Sequence, residues 1–171
     1  VVRQIRIAAG EILEIEQSDI KPRGYAIEAR ITAENVWENF IPAPGTIEGY
    51  YPALGPSVRV DSHVYKDYTI PPFYDSLIAK LIVKATDYDV AVNKLERALE
   101  EFTIEGVRTI IPFLLTISKS KEFRRGFFDT SYVEKNLKTI LENTYDDMNK
   151  KPNDDLEEVI VEAIKRYKKK R

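Results

Sequence analysis

The sequence contains no cysteine and only one histidine, His63. Disulfide bonds, thiol catalysis and cysteine-ligated metal sites are therefore excluded for this chain. With a single histidine, we also expect neither a histidine-based metal site nor a Ser/His/Asp triad. His63 itself is expected to be a structural or surface residue.

Glycine is sparse as well, and the seven glycines are scattered singly. No glycine-rich phosphate-binding loop or nucleotide fingerprint is therefore present. Carboxylates are abundant, but no spacing among them is typical of a general acid and base pair. Glu100 and Glu101, for example, follow Lys94 and Arg97 as on a solvated helix face. By composition alone, the chain is a soluble domain with two arginines of interest, Arg30 and Arg59.

Long apolar runs and a strong net charge are also missing. No run reaches membrane-spanning length, and Arg3 and Arg6 interrupt the first apolar residues, which is not typical of a signal sequence. The formal net charge of −2 gives no global case for nucleic-acid binding. A nucleic-acid role for the basic end, Lys165 to Arg171, is a rival hypothesis, but stacking aromatics and a basic face are missing. We expect a cytoplasmic protein that binds neither nucleic acid nor a membrane.

The most informative stretch, GYAIEARITAEN, starts at Gly24. Its apolar or small residues alternate with a mostly polar row, which predicts a half-buried strand over residues 25–33. Arg30 lies in the middle of the polar row, between Glu28 and Thr32. Its permanently charged, planar guanidinium is suited to hold an anion or a developing oxyanion. The alternative interpretation is a solvated arginine paired with a glutamate on an exposed sheet face.

Further strands are predicted at Thr46 to Tyr51, Ser57 to Tyr65 and Leu77 to Val83. The last of these is apolar on both rows apart from Lys80, which predicts a central strand covered on both faces. Asn35 to Gly45 is expected to be a loop, because it contains two prolines. Arg59 is a second cationic strand position, and its plain interpretation is an exposed residue paired with Asp61 or with another strand.

Helical periodicity predicts a first helix from Val2 that ends at Gly10, and later helices with apolar stripes. Thr86 and Asp87 precede a helix whose stripe ends at Phe102, and Thr109 to Ser118 reads as a short buried helix. A capping box of Ser131 and Glu134 begins another helix. Asn143 to Asp155 is expected to be a linker before an amphipathic helix over Leu156 to Tyr167. This order of strands followed by helices predicts an α+β fold with an antiparallel sheet.

Six segments, taken in order, resemble the carboxyl-terminal region of the biotin carboxylase component of biotin-dependent carboxylases. The resemblance runs from the first helix to about Leu137 and is similar to the acetyl-CoA and pyruvate carboxylase types. The segments are IRIAAGE, RGYAIEARITAEN, PAPGTIEGY, VRVDSHVY, YTIPPFYDSLIAKLIV and ALEEFTIEGVRTIIPF.

The resemblance implies an ATP- and magnesium-dependent carboxylation of biotin by bicarbonate, with the biotin carried on a partner protein or biotinyl subunit. It implies that Arg30 is the catalytic residue that contacts the ureido oxygen of biotin and stabilises its enolate. Arg59 matches an arginine of the family's homodimer interface, and Thr130 falls near a position that borders the adenine of ATP. The ATP-grasp elements, metal-binding glutamates and bicarbonate site would lie upstream, so this chain alone is expected to be inactive.

Three departures from the family's pattern accompany the match: Ala29, Thr32, and the Leu54-Gly55-Pro56 stretch before Arg59. The last of these puts a dimer contact in doubt. We predict an upstream connector at 1–22, the carboxyl-terminal domain at 23–138, and a linker with an amphipathic helix at 139–171. A structural and dimerisation module without a direct catalytic role is the alternative hypothesis.

Overall fold

The structure is a computed structural model that describes residues 1–149. Five α-helices lie within this range: α1 (Val2–Ala8), α2 (Tyr88–Glu101), α3 (Ile111–Lys119), α4 (Lys121–Arg124) and α5 (Tyr132–Asn149). The strands are β1 (Tyr25–Thr32), β2 (Glu34–Asn35), β3 (Ile41–Pro42), β4 (Gly45–Thr46), β5 (Gly49–Tyr51), β6 (Val58–Ser62), β7 (Thr69–Ile70), β8 (Leu77–Ala85) and β9 (Thr103–Glu105).

The main sheet has three antiparallel strands in the order β1-β8-β6. Its central strand, β8, was predicted to be central, and this is confirmed. Alternation places Ala79, Leu81 and Val83 on one face, where all three are fully buried. The three remaining sheets each contain two short strands, paired β2-β3, β4-β7 and β5-β9.

Helix α2 covers the buried face of the sheet and contacts both β8 and β1. Its predicted apolar stripe is confirmed: Ala91, Leu95, Ala98, Leu99 and Phe102 are all buried. The main core therefore lies between α2 and the inner rows of the sheet. Strands combined with helices packed on one sheet face confirm the predicted α+β fold with an antiparallel sheet.

A second, smaller core joins α3 to α5. Pro112 occupies the first turn of α3, as predicted, where the helix needs no amide hydrogen from it. Phe113 and Ile117 of α3 pack with Tyr132 and Ile140 of α5. The predicted capping box is not what the hydroxyl of Ser131 forms, because it donates to Asp129 Oδ1 at 2.6 Å.

Several predicted boundaries were wrong. The strand predicted over Thr46 to Tyr51 is split into β4 and β5, because the two halves pair with different strands, β7 and β9. The predicted loop from Asn35 contains a three-residue 3₁₀ turn and the short β2-β3 pair. Pro42 is tolerated there because the pairing is only two residues long and lies outside the main sheet.

The second face of β8 is also less covered than predicted. On this row Ile78 is buried, whereas Lys80 and Ile82 are half-buried and Lys84 is exposed. Among the described elements, α2 and the core rows cover the opposite face, so this row faces outward.

Helix α5 extends to Asn149, where a linker was predicted from Asn143. The stretch is polar, but Thr144 is fully buried and its hydroxyl donates to Thr116 Oγ1 at 2.9 Å, which anchors the helix on α3. The predicted helix at Leu156 to Tyr167 and the basic end lie outside the described residues. The division of the chain at residues 22 and 138 stays a prediction, and α5 runs across the second boundary.

Helix α1 begins at Val2, and Gly10 follows it with φ +94°, as expected of a glycine that ends a helix. None of its residues is buried, and Val2 and Ile5 each have 64% of their surface exposed. Within residues 1–149, no helix has the length and apolar character required to cross a membrane.

Candidate functional site

The outward face of the main sheet carries both arginines singled out in the sequence. The strand register places Glu28, Ile82 and Arg59 in one row across the three strands, and Arg30, Lys80 and Asp61 in the next. Directly paired residues in an antiparallel sheet project to the same side. These six residues define the outer face: Glu28, Arg30, Arg59, Asp61, Lys80 and Ile82.

Arg30 lies in the middle of β1, and its backbone is paired with Lys80 of the longest strand, β8. Its neighbours in sequence, Ala29 and Ile31, are buried on the opposite face and hold the strand on the core. Arg30 itself is exposed, and it has no hydrogen bond or ion pair to any residue in the described part of the chain. A guanidinium held on a rigid strand with its donors unused is suited to bind an anion.

Arg59 is engaged differently. Its Nε and one terminal nitrogen donate to the two carboxylate oxygens of Asp61, each at 2.8 Å. Both side chains are exposed. The plain interpretation of Arg59 as a residue paired with Asp61 is therefore confirmed, and its interface role stays a prediction.

The charges on the outer face shift the ionisation of Asp61. The hydrogen bond from Arg59 lowers the pKa of the Asp61 carboxyl below its ordinary value, and the charges of Arg59 and Lys80 lower it further. The same bond raises the pKa of the Arg59 guanidinium. Asp61 therefore carries its full negative charge at neutral pH, in a pair that Arg59 already satisfies.

Sequence reasoning missed Lys80 as a site residue. It was treated only as a polar interruption of an apolar strand, yet the register places it directly opposite Arg30 on one side and Asp61 on the other. Its half-buried position in the centre of the sheet distinguishes it from the exposed Lys84 on the same strand face. The available signal was its presence within an otherwise apolar strand.

Thr130 is not brought next to either arginine by any contact that the structure gives. It is exposed in the turn before α5, beside the carboxylate of Asp129, which accepts two hydrogen bonds from Ser131. The structure thus brings Arg30 and Arg59 to one sheet face and leaves Thr130 in the helical half. Its assignment to the adenine pocket stays a prediction.

The departures from the family's pattern lie close to Arg30 but differ in importance. Ala29 is buried on the inner face, so its side chain points away from the guanidinium. Thr32 follows Arg30 on the same row, and its hydroxyl is buried without a hydrogen-bond partner among the described residues. His63, beyond β6, is exposed and makes an edge contact with the ring of Tyr68.

Across residues 1–149, no group of three or more histidine, cysteine or acidic side chains is arranged to hold a metal ion. The outer face is therefore a set of cations and carboxylates without a metal centre of its own. Its chemistry is the binding and stabilisation of negative charge.

Comparisons with known proteins agree with the resemblance seen in the sequence. The family model described as biotin carboxylase C-terminal domain matches residues 28–135. The chain is 52% identical over 134 residues to biotin carboxylase of Nostoc sp., which covers 78% of this chain and 30% of that protein. It is also 52% identical over 134 residues to one of the subunits of pyruvate carboxylase from Methanothermobacter thermautotrophicus, which covers 78% of this chain and 27% of that protein.

A solved structure shows the same fold. It is the biotin carboxylase domain dimer of Hydrogenobacter thermophilus 2-oxoglutarate carboxylase, in complex with MgADP, ADP and bicarbonate. It superposes with a TM-score of 0.75 at 50% identity, over 80% of this chain and 30% of that one. The chain thus spans less than a third of the length of the relatives it matches.

The matched range begins within β1 and ends within α5, so it includes the outer face, its supporting core and the turn that carries Thr130. The family model covers well over half of the sequence, and the fold agrees with that of the solved relative. The chain belongs to the biotin carboxylase C-terminal domain family.

Proposed function

We propose that this chain is the carboxyl-terminal part of a biotin carboxylase and that its outer sheet face forms one wall of the active site. In this proposal, Arg30 binds the ureido oxygen of biotin and stabilises the enolate that forms when biotin loses a proton. The observation that carries the proposal is the exposed, unpaired guanidinium of Arg30, among the described residues, on a strand that the core holds rigid. Stabilisation is greatest where charge develops only along the reaction path.

The remaining reactants would be bound by an upstream ATP-grasp region. The substrates are ATP, bicarbonate and biotin attached to a carrier protein or biotinyl subunit, and magnesium accompanies the ATP. The solved relative with MgADP and bicarbonate supports this set. The described residues offer no cluster that fits a metal ion, so the magnesium ligands are assigned to the upstream region. Thr130 is assigned to the border of the adenine site.

Exposed apolar residues at the start of the chain support contact with that upstream region. Val2, Ile5, Ile12 and Leu13 each expose at least half of their surface. Large exposed apolar patches on a soluble protein are typical of interaction surfaces. We assign this segment to the connection with the ATP-grasp region, in a cytoplasmic enzyme of the acetyl-CoA or pyruvate carboxylase type.

The proposal also includes a homodimer, with Arg59 at the interface. The dimer among the solved relatives supports this assembly. The alternative, a structural and dimerisation module without direct catalysis, is favoured by the position of the Arg59–Asp61 pair on β6, at the edge of the sheet. The two functions differ in whether loss of the Arg30 side chain affects chemistry.

The test is Arg30→Ala in the complete enzyme. Loss of a donor to a developing oxyanion lowers turnover by about 10² to 10³. We therefore expect carboxylation of free biotin to fall by that factor, while the Kd for ATP changes little. Steady-state carboxylation assays and ATP titration provide the two measurements. Carboxylation equal to that of the unsubstituted enzyme would leave only the structural function.

A further inference from the structure

Arg30 and Lys80 form a pair of like charges at the centre of the outer face. They occupy directly opposed positions on β1 and β8, so their Cβ atoms lie roughly 5 Å apart. Like charges directly across a sheet repel each other and lower the stability of the fold. Neither side chain forms an ion pair within the described residues. The repulsion is therefore left uncompensated within this part of the protein.

The nearby carboxylates do not neutralise this pair. Asp61 lies opposite Lys80, but both of its oxygens accept hydrogen bonds from Arg59. Glu28 is on the same face but is paired across the sheet with Ile82, and it forms no ion pair with Arg30 or Lys80. Within the described residues, the Arg30–Lys80 position thus has two positive charges without an ion-paired partner of opposite sign.

A single enolate oxygen does not require two cations. One guanidinium satisfies a monoanion with its own fork of donors. A tetrahedral oxyanion with more than one negative charge requires donors on two sides, and lysine is a common point-charge partner of phosphate. The half-buried position of Lys80 strengthens its field relative to that of a fully solvated lysine.

We propose that Arg30 and Lys80 together form a binding site for an oxyanion of the phosphate class, next to the position of the biotin ureido oxygen. This inference rests on the proposed function, in which phosphate is a product of ATP cleavage. Lys80 binds the oxyanion directly, and Arg30 bridges it and the ureido oxygen. The site would therefore hold the phosphate group beside the carboxylation centre.

The experiment is calorimetric titration of inorganic phosphate into the complete enzyme and into variants at Lys80. Lys80→Met removes the charge and keeps most of the side-chain volume, and Lys80→Arg keeps the charge. The matched control is Lys84→Met, because Lys84 lies on the same face of the same strand, opposite Ala26. We expect the Kd for phosphate to rise about tenfold in Lys80→Met, by less than twofold in Lys84→Met, and to be largely retained in Lys80→Arg.

Equal Kd values in Lys80→Met and Lys84→Met would overturn the inference, and so would the absence of phosphate binding to the unsubstituted enzyme. If Lys80→Met does not fold, Lys80→Gln takes its place with the same expectation. Biotin carboxylation by the unsubstituted enzyme and by Arg30→Ala is measured in parallel. Failure of the proposed function appears there, whereas failure of the oxyanion site appears only in the phosphate titration.

Discussion

At the scale of single residues, Asp61 reports the charge balance of the outer face. The hydrogen bond from Arg59 is the main cause of its lowered pKa, and the charges of Arg59 and Lys80 add to it. We predict that the Asp61 carboxyl titrates below its ordinary value of 3.8 and that Arg59→Gln moves the midpoint back toward that value. The measurement is an NMR titration of the side-chain carboxyl signals from acid to neutral pH.

The sign of the effect on stability follows from the lowered pKa. The Arg59–Asp61 pair stabilises the folded state above the unfolded pKa of Asp61 and loses that contribution as pH falls through the lower, folded pKa. Asp129 serves as an internal control, because hydrogen bonds from Ser131 lower its pKa and do not involve Arg59. If the midpoint of Asp61 stays unchanged in Arg59→Gln, this explanation of its ionisation is wrong.

The sequence predicted Arg30 but not its partner. A period of two places Arg30 on the outward row of its own strand, and this needs no knowledge of the other strands. The pairing of Arg30 with Lys80 depends on the register between strands separated by some fifty residues, which local patterns do not encode. The bidentate Arg59–Asp61 contact was predictable because the two residues are two apart on one strand.

At the scale of elements, β8 separates the core from the outer face. Leu81 is fully buried between Ala29 of β1 and Val60 of β6, whereas the adjacent Ile82 faces outward and is half-buried. We predict that Leu81→Ala lowers the free energy of unfolding by about 3 kcal/mol, because it removes buried methyl groups and leaves a cavity. Chemical denaturation followed by circular dichroism provides the measurement.

Ile82→Ala is the matched control, because it truncates an aliphatic side chain on the same strand. Its side chain is only half-buried, so we expect a loss of about 1 kcal/mol. Equal losses for the two variants would mean that both faces of β8 are covered, as the apolar sequence of this strand first suggested.

The failures of prediction at this scale share one physical cause. Residues 46–51 have a continuous strand pattern, but β4 and β5 are separate because each pairs with a different distant strand. Polar residues after Asn143 suggested a linker, yet the Thr144–Thr116 hydrogen bond inside the second core continues α5. By contrast, α2 was predictable because its stripe has helical period and a single apolar face.

At the scale of the whole molecule, the outer face is one side of a site whose other side belongs to the proposed upstream region. The chain spans less than a third of its relatives, and the cations of Arg30 and Lys80 project away from its own core. Such a surface has a physical reason to exist only when another part of the enzyme brings negative charge to it. The core and the outer face therefore have separate roles, stability in one and charge recognition in the other.

The proposed homodimer gives the last prediction. Arg59 lies on the edge strand β6 and is exposed, so Arg59→Glu places a second negative charge beside Asp61 at the proposed interface. We expect the complete enzyme to sediment as a dimer and Arg59→Glu to raise its dimer dissociation constant at least tenfold, because like charges across an interface cost several kcal/mol. Lys138→Glu is the control, since it makes the same charge change on α5, which packs against α3 rather than the sheet. Identical sedimentation of the two variants would remove Arg59 from the interface.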